Sequence, residues 1–321
     1  MRLSTLPFIF GAMVIFALPA TLCAQGLARE ALACFPADTV QMTYANFADL
    51  RGLPEFPQLR RVLFIRPIQQ FESFLQPFGA DPEKDVNEVV LGWRGPEGPR
   101  GVFFGLAQGS FDGPRIQNSM AQEKLPTRAY DGYVLSTFSS GVNPNDLFFT
   151  FLSSDLAAFG RLTDLKALID GYFGNKATLN SDAQFVNWEG ELDGSGPQWG
   201  ITTGKAAANL AAPWLGGNAK KKDASLAMLF APVKAVLYQV NWTNDFSVEI
   251  DLICQDAQSA ETMERLLRIW RDSAASMNSR PADIASFVQE LQIETDGRRV
   301  ELTGSGSPDV LAQFLQGATA H

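Results

Sequence analysis

From Tyr238 to Leu252 the chain alternates with a period of two. Tyr238, Val240 and Trp242 interleave with Gln239, Asn241 and Thr243. After "TND", Phe246, Val248, Ile250 and Leu252 interleave with Ser247, Glu249 and Asp251. Two such runs across a short polar turn give a half-buried antiparallel hairpin, one face apolar and the other polar. A chain carrying this hairpin must supply further strands beside it and helices beneath it. Leu291, Ile293, Val300 and Leu302 supply a second hairpin across "TDGR". Between the two lies "DAQSAETMERLLRIWRDSAASM", whose Met263, Leu266, Leu267 and Trp270 share a helical face. "SPDVLAQFLQG" reads as a final helix, with Ser307 and Pro308 at its start and Gly317 after it.

The earlier chain has a similar mix. Strands are expected at 39–47, 86–94, 101–108, 130–138 and 146–153, and a short strand precedes a helix begun by Thr163. Helical spacing runs over 56–76 around Pro67 and over 114–124. Past Asn175, strands are expected around 185–192 and at 198–203, the second leading into a helix near Lys205. The fold class is therefore α+β: antiparallel sheets with helices packed on one face. The order from 236 to 317 suggests a split, ferredoxin-like subdomain, and the first half allows a second one. This divides the chain into residues 1–24, 25–175 and 176–321.

Residues 1–24 read as a secretory leader. Arg2 is the only charge before Arg29, an apolar run spans Leu6 to Leu18, and small residues follow Pro19. The run is shorter than the roughly 20 residues a spanning helix needs. Cleavage after Ala24 makes Gln25 the first mature residue and the expected location periplasmic or extracellular. No second run of spanning length follows. The formal charge is −9, and −10 once Arg2 leaves with the leader. An acidic surface repels phosphate backbones, so nucleic acid is not an expected partner; an unknown protein or envelope component is.

The sole histidine is His321, the last residue. Chain ends are usually mobile, which argues against a histidine base, a Ser-His-Asp triad or a His-ligated zinc. After the leader, Cys34 and Cys254 are the only thiols. Two thiols fall short of a four-thiolate metal site but suffice for one disulfide in an oxidising compartment.

"FPADT" soon after the leader, "FGADPEKDVNEVV" and "GLAQGSFD" resemble segments of a group of uncharacterised bacterial exported proteins. The resemblance covers mainly residues 35 to 175. It implies an extracytoplasmic bacterial protein and brings no catalytic residues with it.

Four stretches have the look of sites. "GITTGKAAANL" resembles a phosphate loop, but only three residues separate Gly200 from Gly204, and Ala206 stands where the magnesium-binding hydroxyl belongs. Gly204 as the turn and Thr203 as helix cap account for it, so no cofactor is expected. "DPEKDVN" spaces Asp81, Glu83, Asp85 and Asn87 like a calcium loop, yet Val86 and Gly92 replace the required Gly and Glu; a turn before a strand accounts for it. "EGELD" puts Glu189, Glu191 and Asp193 on one face of the expected strand, and Glu249 and Asp251 form a similar pair. Paired carboxylates can hydrolyse glycosides without histidine, so Glu189, Glu191, Glu249 and Asp251 are the catalytic candidates. Phe64, Phe71, Phe74 and Phe78 could line an apolar pocket or simply be core.

The leading reading is a non-enzymatic exported binding or scaffold protein acting through a sheet surface. The alternatives are a histidine-independent carboxylate hydrolase and a carrier of an apolar ligand. Export has a direct consequence: Edman or mass-spectrometric sequencing of protein recovered from its host should start at or next to Gln25. Intact chain beginning at Met1 in the cytosol would refute it.

Overall fold

The computed structural model describes residues 26–54, 56–57, 69, 72–73, 75–95, 102–211, 230–242, 246–275, 282–307 and 310. The leader lies outside them. So do Phe64, Phe71 and Phe74 of the expected helix around Pro67, and all of the expected closing helix at 308–317 except Val310.

The strands are β1 (Thr39–Asn46), β2 (Val86–Arg94), β3 (Val102–Gly109), β4 (Thr127–Tyr130), β5 (Tyr133–Ser136), β6 (Leu147–Phe151), β7 (Leu156–Arg161), β8 (Gln198–Thr203), β9 (Val233–Trp242), β10 (Phe246–Cys254), β11 (Gln292–Asp296) and β12 (Arg299–Gly306). The helices are α1 (Leu27–Cys34), α2 (Phe47–Leu50), α3 (Pro82–Asp85), α4 (Gly113–Gln122), α5 (Leu162–Tyr172), α6 (Ala183–Leu192), α7 (Gly204–Ala211), α8 (Ala257–Ala275) and α9 (Ala282–Glu290). Among the described residues the twelve strands form one sheet in the order β11-β12-β10-β9-β8-β1-β2-β3-β7-β6-β5-β4, and their pairings are antiparallel. The α+β class is thus realised as a single sheet that runs through both halves.

The two halves follow the same path outward from the centre. In the first, β1, β2 and β3 form a meander, α4 crosses over, and a second meander returns so that its last strand, β7, lies beside β3. In the second, β8, β9 and β10 form the meander, α8 and α9 cross over, and the last strand of the returning hairpin, β12, lies beside β10. The first strands of the two paths, β1 and β8, pair antiparallel from Gln41↔Thr202 to Ala45↔Gln198. Neither path is the ferredoxin-like order suggested by the sequence. The repeat is one of connectivity, which explains why no residue-level repeat announces it.

Helices cover both faces rather than one. Val90, Phe104, Leu106, Trp199 and Leu237 point to one side, where they pack with Leu27, Leu32, Leu165, Leu168 and Phe185 of α1, α5 and α6. Val89, Leu91 and Phe103 point to the other, against Phe47, Ile116 and Met120 of α2 and α4. On that second side Val236, Leu252 and Val300 meet Met263 and Leu267 of α8. The helices α1 and α9 have no counterpart among the sequence expectations.

Three local expectations are revised. The expected strand at 130–138 is a hairpin: Asp131 and Gly132 take φ of 46° and 82°, the left-handed pair of a two-residue turn, and Asp-Gly is the signal for it. The expected strand around 185–192 is the helix α6, because Asp182 caps it by accepting from the N–H groups of Gln184 and Phe185, and Phe185, Glu189 and Leu192 keep helical spacing toward the core. Thr203 does not cap α7; its hydroxyl donates to the carbonyl of Val40 on β1 at 3.2 Å.

Gly171 shows how tightly α1 and α5 are locked. A Cβ there would lie 2.3 Å from the carbonyl oxygen of Cys34. Helix propensity alone makes Gly→Ala a gain of about 1 kcal/mol. The backbone clash reverses the sign, so Gly171→Ala should lower unfolding stability by about 1–3 kcal/mol in denaturant titration. A stabilised variant would show that the two helices can separate at no cost.

Candidate functional site

Past the end of α6 the sheet changes character. The even-numbered side of β10 and β12 is packed under α8 and α9, but the other side carries polar residues. Cross-strand rows follow from the register: Gln239, Glu249, Thr303 and Gln292 form one, Asn241, Ser247 and Ser305 the next. With Glu290 they line an open cleft of about 310 Å³. Ser247, Gln292 and Ser305 are exposed, and Glu249 and Thr303 half-buried. Gln239 donates to Glu249 at 2.5 Å, and Asn241 reaches the carbonyl of Ser195 at 3.0 Å.

The catalytic candidates are divided by this geometry. Glu191, at the end of α6, and Asp251, on β10, converge on Arg299 of β12. Arg299 donates to Glu191 at 2.5 Å and to Asp251 at 3.1 Å. Glu249 lies two residues from Asp251 on the same strand face and joins Gln239 instead. Glu189 lies apart: its side chain is fully buried, with the Arg29 guanidinium of α1 at 3.5 Å. Burial pushes the Glu189 carboxyl above its usual range, Arg29 opposes the shift and Asp193 adds to it. Burial likewise raises Asp251, to about 6; Arg299 opposes this, and Glu249, Glu301 and Glu191 add to it. What sequence reasoning missed was Arg299, the group that joins Glu191 to Asp251. Nothing local marks it, since its partners lie 48 and 108 residues away.

The remaining candidates resolve as follows. Asp81 caps α3 by accepting from the Glu83 N–H, its own N–H donates to Asp85, and Lys84 sits 2.8 Å from its carboxylate. Those contacts belong to a turn entering β2. Gly204 has φ of 59° and makes the turn after β8, and Lys205 is exposed. Phe78 is half-buried against the core. An apolar cavity of about 50 Å³, lined by Phe111, Ile116, Phe149, Phe151 and Phe159 among others, opens beneath α4; it is smaller than a lipid chain requires. Among the described residues no three His, Cys, Asp or Glu side chains group as metal ligands, and no helix is long and apolar enough to cross a membrane.

The disulfide is not formed. Cys34 and Cys254 are both buried free thiols. Cys34 packs in the core with Leu237, and Cys254 in the one with Val236. Adjacent residues on a strand point to opposite faces, so the sheet separates the two sulfurs. Burial pushes Cys34 up to about 12 and Cys254 up to about 11, which keeps both as thiols.

The architecture is that of an open antiparallel α+β sheet built from two halves of like connectivity. It is shared with a solved structure, crystal form I of TP0453, at a TM-score of 0.50 and 10% sequence identity, over 90% of this chain and 97% of that one. At that identity the likeness is one of fold. No family model and no curated protein matches the chain.

Asp251 gives a pH test. Its folded-state pKa of about 6 lies above the ordinary value of 3.8. The folded state therefore holds the proton more tightly. Its contribution to stability is fully present below about pH 4 and is lost as pH rises toward 6. Replacing it by Asn removes that dependence. The difference in unfolding free energy between wild type and Asp251→Asn should change by up to about 3 kcal/mol from pH 4 to pH 7, read by urea titration. A constant difference would mean that Asp251 does not titrate there.

Proposed function

We propose that this is an exported, non-enzymatic binding protein of the bacterial envelope that engages its partner through the polar face of β9, β10, β12 and β11. One observation carries the reading: a cleft of about 310 Å³ on a sheet face whose opposite side is packed under helices. A sheet needs only one packed face to be stable. The other is then free for recognition, and here it offers amides, hydroxyls and carboxylates in register. The exported location rests on the leader-like residues 1–24 and on the resemblance of residues 35–175 to exported bacterial proteins.

The carboxylate hydrolase fits this geometry less well. A glycosidase holds its two carboxyls about 5–10 Å apart with the scissile bond between them. Here Arg299 fills the space between Glu191 and Asp251. The arginine makes them a clasp between α6 and the sheet.

The test is affinity capture from the native envelope with the mature protein as bait, beside the variant Ser247→Arg/Thr303→Arg. Both substitutions place bulk and positive charge on the cleft wall without touching the packed face. A partner retained by wild type and lost by the variant supports the reading. Identical capture by both, with the variant folded by circular dichroism, rejects this face as the binding surface. Lys205→Ala serves as control. It should capture as wild type does, change stability by no more than about 0.5 kcal/mol, and show no melting shift with ATP and magnesium.

A further inference from the structure

Among the described residues, the helix-packed core on the polar side of the sheet reaches Ala235 and Leu237 of β9 and takes in no residue of β11 or β12. The rows beyond it are acidic. Asp251, Glu301 and Glu294 stand directly opposite one another on β10, β12 and β11. Glu249 follows in the next row, opposite Gln239. Glu290 is exposed where it lines the open cleft. Directly opposed side chains have Cβ atoms about 4.5–5.5 Å apart, and like charges in such a pair are destabilising.

This crowding is not offset within the face. Arg299 already donates to both Glu191 and Asp251. The Gln239 amide donates to Glu249 and the Asn241 amide to the Ser195 carbonyl. Among the described residues neither Glu294 nor Glu301 has an ion-pair partner. Two acceptors are left over as well. Asp251 Oδ1, on a side chain 6% exposed, and Gln239 Oε1 are buried without a hydrogen-bond partner. Glu249, Glu301 and Glu191 also add to the upward push on the Asp251 carboxyl, so they lie close enough to repel it. The face holds more negative charge and more acceptors than its own donors satisfy.

Resting on the reading of this face as the partner surface, we propose that the partner presents a lysine- or arginine-rich protein segment to it. Charge complementarity selects the chemistry. A cation that approaches these carboxylates relieves a repulsion already present in the free protein. The spread of the charges favours several cationic side chains over one metal ion. Asp251, Glu301 and Glu294 sit on three successive strands, each about 4.8 Å from the next, and among the described residues no three carboxylates group as metal ligands. Glu290 and Glu294 are exposed and Glu301 half-exposed, within reach of long side chains laid on the surface. Ser247 and Ser305, exposed beside them, offer hydroxyl acceptors to the same amines and guanidiniums.

Fluorescence anisotropy of a labelled octalysine peptide with the mature protein tests this, beside Glu294→Gln/Glu301→Gln. The chain is acidic overall, so Glu123→Gln/Glu261→Gln, both exposed and placed after α4 and on α8, is the charge-matched control. Saturable binding is expected at low salt and should fall steeply at high salt. The face variant should weaken it about tenfold and the control by less than about twofold. The face variant should also melt no lower than wild type, since it removes opposed like charges. Equal weakening by both pairs would make the binding a property of net charge and overturn the proposal. So would absence of binding, calcium held saturably by wild type and lost by the face variant, or a dimer in sedimentation that the face variant breaks. Envelope capture separates the two readings. A partner lost with Ser247→Arg/Thr303→Arg but kept by Glu294→Gln/Glu301→Gln and through high salt retains the face and rejects the basic segment. A partner kept by Ser247→Arg/Thr303→Arg rejects the face and this proposal with it.

Discussion

The pairing of β1 with β8 is the contact on which the rest of the sheet depends. Each half can build its own meander from neighbours in sequence, but only this pair turns two sheets into one. It joins residues about 160 apart, from Gln41↔Thr202 to Ala45↔Gln198. Loop closure grows only as the logarithm of length, so the equilibrium cost is modest. The kinetic cost is larger, because non-local strand pairing must wait for both partners to be in place. Buried side chains reinforce the seam on one side: Met42 of β1 and Trp199 and Ile201 of β8 belong to the same core as α1, α5 and α6. The Tyr44 ring stacks on Trp199 at 5.3 Å across it. On the opposite side the same two strands carry Gln41, Thr43 and Ala45 against Thr202, Gly200 and Gln198. The seam is therefore apolar on one face and polar on the other, although helices cover both sides of the sheet.

The legible part of the sequence was the part governed by short-range rules. The edges of β2, β10 and the β11–β12 hairpin follow from period-two alternation and a Gly turn, and the structure keeps them within a residue or two. The α6 segment misled because "FVNWEGEL" alternates as well as it spirals. Its deciding feature is the Asp182 cap just outside the window, with two N–H donors satisfied by one carboxylate oxygen. α1 was hidden by its small size: eight residues with Leu27, Ala28, Ala31 and Leu32 buried. The site was less legible than the fold. Glu191, Asp251 and Arg299 meet from three separated elements, which no periodicity reveals. The two cysteines illustrate the same limit. Two thiols and an oxidising compartment would allow a bridge, and only the alternation of faces within the folded sheet shows why the sulfurs do not meet.

An open twelve-stranded sheet has two edges, and each is a template for pairing with another chain. Both are short here, four residues at β4 and five at β11. Both are also occupied by arginine. At one end Arg128 donates to the carbonyl of its own neighbour Thr127 and to that of Gly141, each at 2.9 Å. At the other, Arg268 and Arg271 of α8 donate to the carbonyls of Ile293 and Leu291 at 2.6 and 3.0 Å, and the Thr295 hydroxyl donates to Glu264. A carbonyl already bonded to a guanidinium is a poor acceptor for an incoming strand. Strand addition is thus discouraged at both ends. The faces remain open to contact, and the one that presents polar groups in register around an open cleft is the one along β9, β10, β12 and β11.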